Sequence, residues 1–261
     1  MSGPECYANP PEMNSSSGNG SIEEIGGLKA YVTGNRSANL AILLASDAFG
    51  YEGVMLRKLA DKISALGYLV VVPDFFFGGH ICTTSPPQVR ANWLHNHPPE
   101  KGCENARKII AQLKSRGVFG VGAAGFCWGG MMVAKLAKYD DIKAGVILHP
   151  GRLTDDDINE VNVPIAILGG ELDKLCPQEE VKHYGDILSS KQVESFVKIF
   201  PGVSHGWASR YSEDDEVAVM SAQEAHTDML NWLTKVMKNI LSMEVWRPDG
   251  DPKEEHNNSK C

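Results

Sequence analysis

A cysteine between glycines is the residue of this sequence that is best placed to act as a nucleophile. Cys127 stands in the segment GFCWGG at 125–130, after the apolar run GVGAAGF at 120–126 and before the helical stretch MMVAKLAKY at 131–139. A G-x-C-x-G pattern at a strand-to-helix turn is typical of a nucleophile elbow in which cysteine replaces serine. The helix N-terminus behind the turn favours a thiolate, so we predict that Cys127 attacks an electrophilic carbonyl. The alternative is a buried structural cysteine packed between glycines.

Two later loops supply the partners that such a nucleophile needs. Asp173 follows the apolar run PIAILGG at 164–170, and His205 follows the run SFVKIFP at 195–201. The chain order nucleophile, acid, histidine is expected when all three side chains come from loops at the carboxyl ends of successive strands. We therefore predict that His205 is the base and that Asp173 orients it. Glu171 is an alternative orienting acid.

The other histidines are weaker candidates for catalysis. His149 closes the run AGVILHP at 144–150 and is predicted to form a wall of the same pocket. His95 and His97 form an H-x-H pattern, but no third ligand accompanies them, and Pro98-Pro99 indicates a surface loop. We accordingly predict neither a metal site nor an organic cofactor.

Short apolar runs alternate with helical segments along the chain. Apolar residues recur with helical spacing at 56–66, 106–113 and 221–241. This alternation predicts an α/β fold with a mostly parallel sheet and helices on both faces. The predicted strands are LAILLAS at 40–46, YLVVVPD at 68–74, GVGAAGF at 120–126, AGVILHP at 144–150, PIAILGG at 164–170 and SFVKIFP at 195–201.

The composition indicates one globular domain. We predict a polar lead-in at 1–21, a domain at 22–246 and a polar tail at 247–261. The chain has 261 residues and a net charge of −8, which provides no positive field for nucleic acid or anionic lipid. Its six cysteines lack regular spacing, and no apolar run reaches the length of a membrane span. We therefore predict a cytoplasmic protein without nucleic-acid or membrane partners.

The segments that carry the three predicted catalytic residues also resemble a known family. GFCWGG, ELDKLCP and GVSHGW are similar to segments of the dienelactone hydrolases (carboxymethylenebutenolidases), especially the plant cytosolic members. The resemblance extends over about 22–241 and includes LLASDAFGYEG, VVVPDFFFGG and HPPEKGCENARKIIAQLKSRG. It implies the α/β-hydrolase fold and cysteine-dependent hydrolysis of a small ester or lactone through an acyl-enzyme. A monomer or homodimer is expected, with a small-molecule substrate as its partner.

The resemblance implies roles for residues outside the triad. Asp47 falls where bacterial members place a glutamate that contacts the resting nucleophile. Ala48 falls where a backbone N–H supplies one oxyanion donor, and the N–H of Trp128 is predicted to be the other. Arg210 lies one position later than the arginine with which bacterial members hold a substrate carboxylate. The predicted substrate site is completed by Phe49, His149 and Trp207.

The aromatic residues near these segments indicate a bulky pocket. They are Phe75, Phe76, Phe77, Trp93, Trp128 and Trp207.

Other functions stay open at this point. One is an isomerase, cyclase or lyase of specialised metabolism that uses the same pocket, with His205 transferring protons. Another is a non-catalytic binding module, although the intact Cys127, Asp173 and His205 count against it. Some plant relatives carry a β-glucanase label, but glycoside hydrolysis ordinarily requires two facing carboxylates. The sequence selects no such pair.

Overall fold

A mixed sheet of eight strands forms the centre of the part of the protein that the structure describes. The structure is a computed structural model, and it describes residues 4–82 and 84–245. The strands are β1 Ser21–Ile25, β2 Leu28–Thr33, β3 Leu40–Ala45, β4 Leu69–Pro73, β5 Gly120–Phe126, β6 Ala144–Leu148, β7 Ile165–Gly170 and β8 Ser195–Phe200. They lie in the order β1-β2-β4-β3-β5-β6-β7-β8. From β4 to β8 all neighbours are parallel, whereas β2 is antiparallel to both β1 and β4.

Helices cover both faces of this sheet. They are α1 Val54–Ser64, α2 Pro87–Asn96, α3 Pro99–Ser115, α4 Trp128–Leu136, α5 Asp155–Asn159, α6 Gln178–Ser190 and α7 Glu216–Val245. One apolar core contains Ile63 of α1 and Met229 of α7, and the other contains Ile110 of α3 and Leu188 of α6. Because helices bury both faces, every residue of the central strands β3, β5, β6 and β7 is buried. The predicted α/β fold and its six parallel strands are confirmed.

A hairpin at one edge of the sheet was not predicted. Strands β1 and β2 are joined by Gly26 and Gly27, whose φ angles are 62° and 81°. A two-residue turn with positive φ at both positions suits glycine and matches the twist of a hairpin. The residues of β1 are mostly exposed and polar, so this strand lacks the apolar run on which the other predictions depended.

The prediction of a surface loop around Pro98-Pro99 is wrong. His95 lies in the last turn of α2, and Pro99 begins α3. Proline suits the first position of a helix because its fixed φ is helical and its missing N–H would have no partner inside the helix there.

The residues before β1 pack against the domain. They begin with a 3-10 helix at Pro4–Tyr7, and Met13 forms an isolated antiparallel bridge with Gly53. The buried guanidinium of Arg57 in α1 donates hydrogen bonds to the carbonyl oxygens of residues 15 and 17, at 2.7 and 3.2 Å. The tail predicted at 247–261 lies outside the described residues. Among the described helices, none combines the length and apolar character needed to cross a bilayer.

Candidate active site

The turn between β5 and α4 holds Cys127 in a strained backbone conformation. Its φ and ψ are 52° and −107°, a region that non-glycine residues rarely occupy. The turn is tight because the segments beside it are very close. A Cβ atom on Gly125 would lie 2.0 Å from the carbonyl oxygen of Gly129, and one on Gly129 would lie 2.2 Å from that of Ala45. Both glycines are therefore required for this turn, which aims the Cys127 side chain away from the sheet edge as a nucleophile elbow does.

The loops after β7 and β8 place an acid and a base side by side. The Nδ1 atom of His205 lies 2.8 Å from Oδ2 of Asp173, and both side chains are almost completely buried. The other carboxylate oxygen of Asp173 accepts hydrogen bonds from the backbone N–H groups of Leu175 and Cys176, at 2.8 and 3.2 Å. These bonds fix the carboxylate, which in turn fixes the histidine ring. Glu171 instead accepts a hydrogen bond from the backbone N–H of residue 202 at 2.7 Å.

The second nitrogen of His205 faces two sulfur atoms. A ring nitrogen of His205 and the Sγ atoms of Cys6 and Cys127 all lie within 4.8 Å of one another. Because Nδ1 bonds Asp173, the nitrogen available to the sulfurs is Nε2, which is buried and has no hydrogen-bond partner. The two sulfur atoms are 3.9 Å apart. Sequence reasoning missed Cys6, because its 3-10 helix has no periodic pattern and lies 121 residues from Cys127.

The two ionisable partners influence each other in opposite ways. Burial lowers the pKa of His205, but the sulfur of Cys127 and the hydrogen bond with Asp173 outweigh it and raise this pKa to about 9. The Cys6 thiol and burial raise the pKa of the Cys127 thiol well above its ordinary value, although His205 opposes this. The raised pKa of Cys127 favours a neutral thiol. Part of the rise in the pKa of His205, however, arises only when Cys127 is a thiolate. We adopt the neutral thiol as the resting form while Cys6 is in contact, with Asp173 as the remaining cause of the raised His205 pKa.

An apolar cavity of about 180 Å³ opens beside the nucleophile. Its wall includes Tyr7, Trp93, Leu94, Trp128, Met131 and Arg152, together with Cys6 and Cys127 themselves. A wider cleft of about 770 Å³ is lined by His205, Trp207 and Arg210 but not by Cys127, whereas His205 is not among the described residues that line the smaller cavity. The smaller cavity is therefore the candidate substrate pocket. Neither Tyr7 nor Arg152 was predicted to lie there.

Residues 28–237 match the profile of the dienelactone hydrolase family. The chain belongs to this family. It is 37% identical over 198 residues to an endo-1,3;1,4-β-D-glucanase of Zea mays, an alignment that covers 74% of this chain but 64% of that protein. It is 32% identical over 216 residues to a human carboxymethylenebutenolidase homolog, covering 80% of this chain and 88% of the relative. Dienelactone hydrolases are hydrolases, so the chain is an enzyme of a hydrolase family.

Solved structures of the family share its fold. A dienelactone hydrolase-like promiscuous phosphotriesterase from metagenomic libraries superposes with a TM-score of 0.65 at 17% identity, covering 84% of this chain and 97% of that one. A dienelactone hydrolase from Anabaena variabilis superposes with a TM-score of 0.59 at 15% identity, covering 87% and 99%. These matches identify the fold as that of the α/β-hydrolases.

Two residues that family resemblance assigns to the nucleophile and the substrate hold other partners here. The carboxylate of Asp47 accepts hydrogen bonds from the N–H of Phe49 at 2.9 Å and the hydroxyl of Ser209 at 3.3 Å. Arg210 is buried above the ring of Phe49, 3.6 Å from Asp47, and donates a 2.6 Å hydrogen bond to the carbonyl oxygen of Cys6. In this member of the family Arg210 therefore holds the N-terminal segment at the site. Among the described contacts, no hydrogen bond joins Asp47 to Cys127.

His149 and Trp207 lie behind His205. The His149 ring is 5.2 Å from that of His205 and 5.9 Å from that of Trp207, and Trp207 packs against Phe200 at 4.7 Å. Both ring nitrogens of His149 are buried without a hydrogen-bond partner. Its φ of 33° is also unusual for a non-glycine residue. These two aromatic residues support the His205 loop and do not line the cavity beside Cys127.

The remaining predicted aromatic residues divide into two groups. Phe76 packs edge-on against Trp93 and Trp128, with each pair of ring centroids 4.7 Å apart, and so supports two walls of the cavity from behind. Phe75 packs against Trp128 at 5.7 Å. Phe77 is 67% exposed and takes no part in the pocket.

Ala48 and Trp128 both lie at the cavity wall beside Cys127. Trp128 occupies the first position of α4, where a backbone N–H has no partner inside the helix. An N–H in such a position can donate to an oxygen that becomes negative during a reaction.

Proposed function

We propose that this protein hydrolyses a small ester or lactone, with Cys127 as the nucleophile. The observation that carries the proposal is the buried Asp173–His205 pair directed at the sulfur of a cysteine on a nucleophile elbow. His205 would take the thiol proton through Nε2 as the sulfur attacks the carbonyl carbon. The N–H groups of Ala48 and Trp128 would bind the resulting oxyanion.

The same histidine completes both halves of the reaction. Protonated His205 gives its proton to the departing alkoxide, which leaves a thioester on Cys127. Neutral His205 then removes a proton from water, which attacks the thioester carbonyl. The C–S bond breaks, the carboxylic acid leaves, and protonated His205 returns its proton to the Cys127 sulfur. Asp173 stabilises the imidazolium that forms in each half. In each half His205 accepts one proton and donates it again, so the reaction requires no further ionisable side chain.

The cavity supports an aromatic or otherwise apolar substrate. A thiolate is itself a good leaving group, so it acylates efficiently only when the alkoxide departs easily, as in aryl esters and enol lactones. The indole walls of Trp93 and Trp128 suit a planar substrate of that kind. Arg152 is the one cation among the described residues that line this cavity, and it suits a carboxylate on the substrate.

Glycoside hydrolysis is less well supported. It ordinarily requires two carboxylates that face each other across the substrate. The described residues that line the cavity beside Cys127 include no aspartate or glutamate. The activity in the name of the maize relative therefore stays with that protein.

A cytoplasmic location and the absence of nucleic-acid partners stay predictions.

The decisive experiment follows the acyl group. Wild type is expected to hydrolyse p-nitrophenyl acetate and a small enol lactone, and to show an acetyl adduct by intact mass during turnover. Cys127→Ala is expected to lose activity by at least about 1,000-fold and to lose the adduct. The matched control is Cys82→Ala, because Cys82 is exposed and hydrogen bonds from Ser85 and Thr84 lower its pKa to about 7. Activity that survives in Cys127→Ala, or an adduct that is lost only in Cys82→Ala, would overturn the proposal.

Arg152 is tested by comparing two aryl esters that differ only by a distal carboxylate. Arg152→Gln is expected to lower kcat/KM for the anionic ester relative to the neutral one by about threefold to fivefold, because the pairing is partly exposed to solvent. Arg116→Gln, at the end of α3 and away from the cavity, is the control. An unchanged ratio of the two kcat/KM values would remove Arg152 from substrate selection.

A further inference from the structure

Three side chains of types that can bind metal ions lie close together at the candidate active site. They are the thiols of Cys6 and Cys127 and the imidazole of His205, and all three residues are buried. The proposed hydrolysis uses Cys127 and His205 but has no function for Cys6. A second thiol beside a nucleophile therefore calls for its own explanation.

The spacing of the two sulfur atoms matches a tetrahedral zinc site. Zinc binds thiolate sulfur at about 2.3 Å, so two such ligands in a tetrahedron lie about 3.8 Å apart. The Sγ atoms of Cys6 and Cys127 are 3.9 Å apart, and the histidine nitrogen is within 4.8 Å of both. An ion between them would need only small side-chain rotations.

The groups behind these ligands are also those that zinc sites use. A histidine that binds zinc usually donates its other ring N–H to a carboxylate, which directs the free nitrogen at the metal. Asp173 does this for His205, whose Nε2 is buried without a hydrogen-bond partner. Arg210 holds the backbone of Cys6 through its carbonyl oxygen at 2.6 Å. Two of the three ligands are thus oriented before any ion arrives.

We propose that Cys6, Cys127 and His205 form a binding site for Zn²⁺ that reversibly blocks the nucleophile. Binding forms two zinc–sulfur bonds and one zinc–nitrogen bond and releases the two thiol protons to solvent, with no change of oxidation state. The two thiolates neutralise the charge of the ion, which lowers the cost of burying it. The cavity lined by Cys6 and Cys127 provides a path for the ion and room for a water as fourth ligand.

Zinc binding has a direct consequence for catalysis. An ion that holds the sulfur of Cys127 and Nε2 of His205 removes both groups from the reaction. Inhibition rests on the proposed hydrolysis, but binding does not, so the two are measured separately.

The test uses the full chain, stripped of metal by a chelator and kept reduced by a phosphine. Zn²⁺ affinity is measured by competition with a chromophoric chelator, and Co²⁺ is added separately to detect thiolate-to-cobalt absorption. Wild type is expected to bind one tight equivalent, to show that absorption, and to lose hydrolysis in proportion to occupancy. Cys6→Ser is expected to weaken Zn²⁺ binding by about 100-fold, because oxygen replaces a thiolate ligand.

The controls separate this site from other thiols and from misfolding. Cys82→Ser removes the acidic exposed thiol and is expected to bind zinc as wild type does. Cys6→Ala is a second probe, and thermal unfolding of both Cys6 variants establishes that they are folded. Unchanged Zn²⁺ affinity in a folded Cys6 variant, or cobalt absorption that disappears in Cys82→Ser, would overturn the proposal. If hydrolysis is absent but wild type binds the ion and Cys6→Ser does not, the zinc site stands and the proposed function fails.

Discussion

Two neighbouring histidines at the carboxyl edge of the sheet have pKa values that are shifted in opposite directions. His205, after β8, and His149, after β6, are both buried, and their rings are 5.2 Å apart. The pKa of His205 is raised to about 9, whereas that of His149 lies well below its ordinary value. Depth in the protein is therefore not what decides which of them carries a proton.

The difference arises from the carboxylate of Asp173. His205 donates to it at 2.8 Å, so its positive charge is compensated. His149 has no hydrogen-bond partner at either ring nitrogen, and burial, followed by the charges of His205 and Arg210, disfavours its protonated form. At this edge of the sheet His205 can therefore accept a proton, whereas His149, packed behind it, stays neutral.

The largest difference is expected in catalysis. His205→Ala removes the general base and should lower kcat/KM for p-nitrophenyl acetate by about 10²- to 10⁴-fold. Asparagine, like histidine, tolerates positive φ, so His149→Asn should preserve the backbone at this position. It should lower kcat/KM by less than about 10-fold, because the His149 ring only supports the His205 loop. Steady-state kinetics on both variants measures the contrast. Equal losses in two folded variants would mean that His149 takes part in proton transfer.

A smaller loss is expected when the carboxylate is neutralised. Asp173→Asn should cause a loss of kcat/KM roughly 10- to 100-fold smaller than that of His205→Ala, since His205 remains but loses both its orientation and the stabilisation of its imidazolium. Because Asp173 raises the pKa of His205, the pH at which kcat/KM is half its limiting value should move down in this variant. Glu171→Gln is the control, as Glu171 contacts the N–H of residue 202. A full pH–rate profile that does not move would contradict the assigned pair.

The smallest effect is expected in stability, where the two histidines should act on opposite sides of neutrality. His149 has a lowered pKa in the folded state, so the stability it contributes is present above the unfolded pKa of about 6.5 and is lost as pH falls below it, by at most about 1.4 kcal/mol per pH unit. His205 has a raised pKa, so its contribution is complete below about 6.5 and is lost as pH rises through that raised pKa.

Urea unfolding at a series of pH values separates the two limbs. His149→Asn should flatten the decline in unfolding free energy below pH 6.5, and His205→Ala should flatten the decline toward pH 9. If His205→Ala altered the low-pH decline and His149→Asn the high-pH decline, the assignment would be reversed. If both variants altered the same decline, the two rings would titrate as a unit.

The sequence predicted the parts of this site that each follow an apolar strand. Cys127, Asp173 and His205 come after β5, β7 and β8, and parallel strands bring their carboxyl ends to one edge whatever the loop sequences are. Cys6 could not be predicted in this way, because its contact with Cys127 is made by a short 3-10 helix far away in the chain. The role of Arg210 depends on that same contact, so it was not predictable either.

The fold was predictable to a similar extent and for a similar reason. Continuous apolar runs indicated the six parallel strands, whereas the edge strand β1 is mostly exposed and polar, which leaves the Gly26-Gly27 turn before the buried β2 as the signal of the hairpin. A Gly-Gly pair between two short segments of this kind is typical of a two-residue hairpin turn.

The 3-10 helix at Pro4–Tyr7 also matters for how the protein is produced and engineered. Chain termini ordinarily tolerate affinity tags, trimming and changes of start codon, because little depends on them. Here Cys6 touches the nucleophile, and the Tyr7 hydroxyl donates a 2.9 Å hydrogen bond to the carbonyl oxygen of Arg90 beside α2's cavity wall. Deletions or substitutions within residues 4–7 are therefore expected to alter the pocket itself, so variants that differ in this segment are to be compared separately in a screen for substrates.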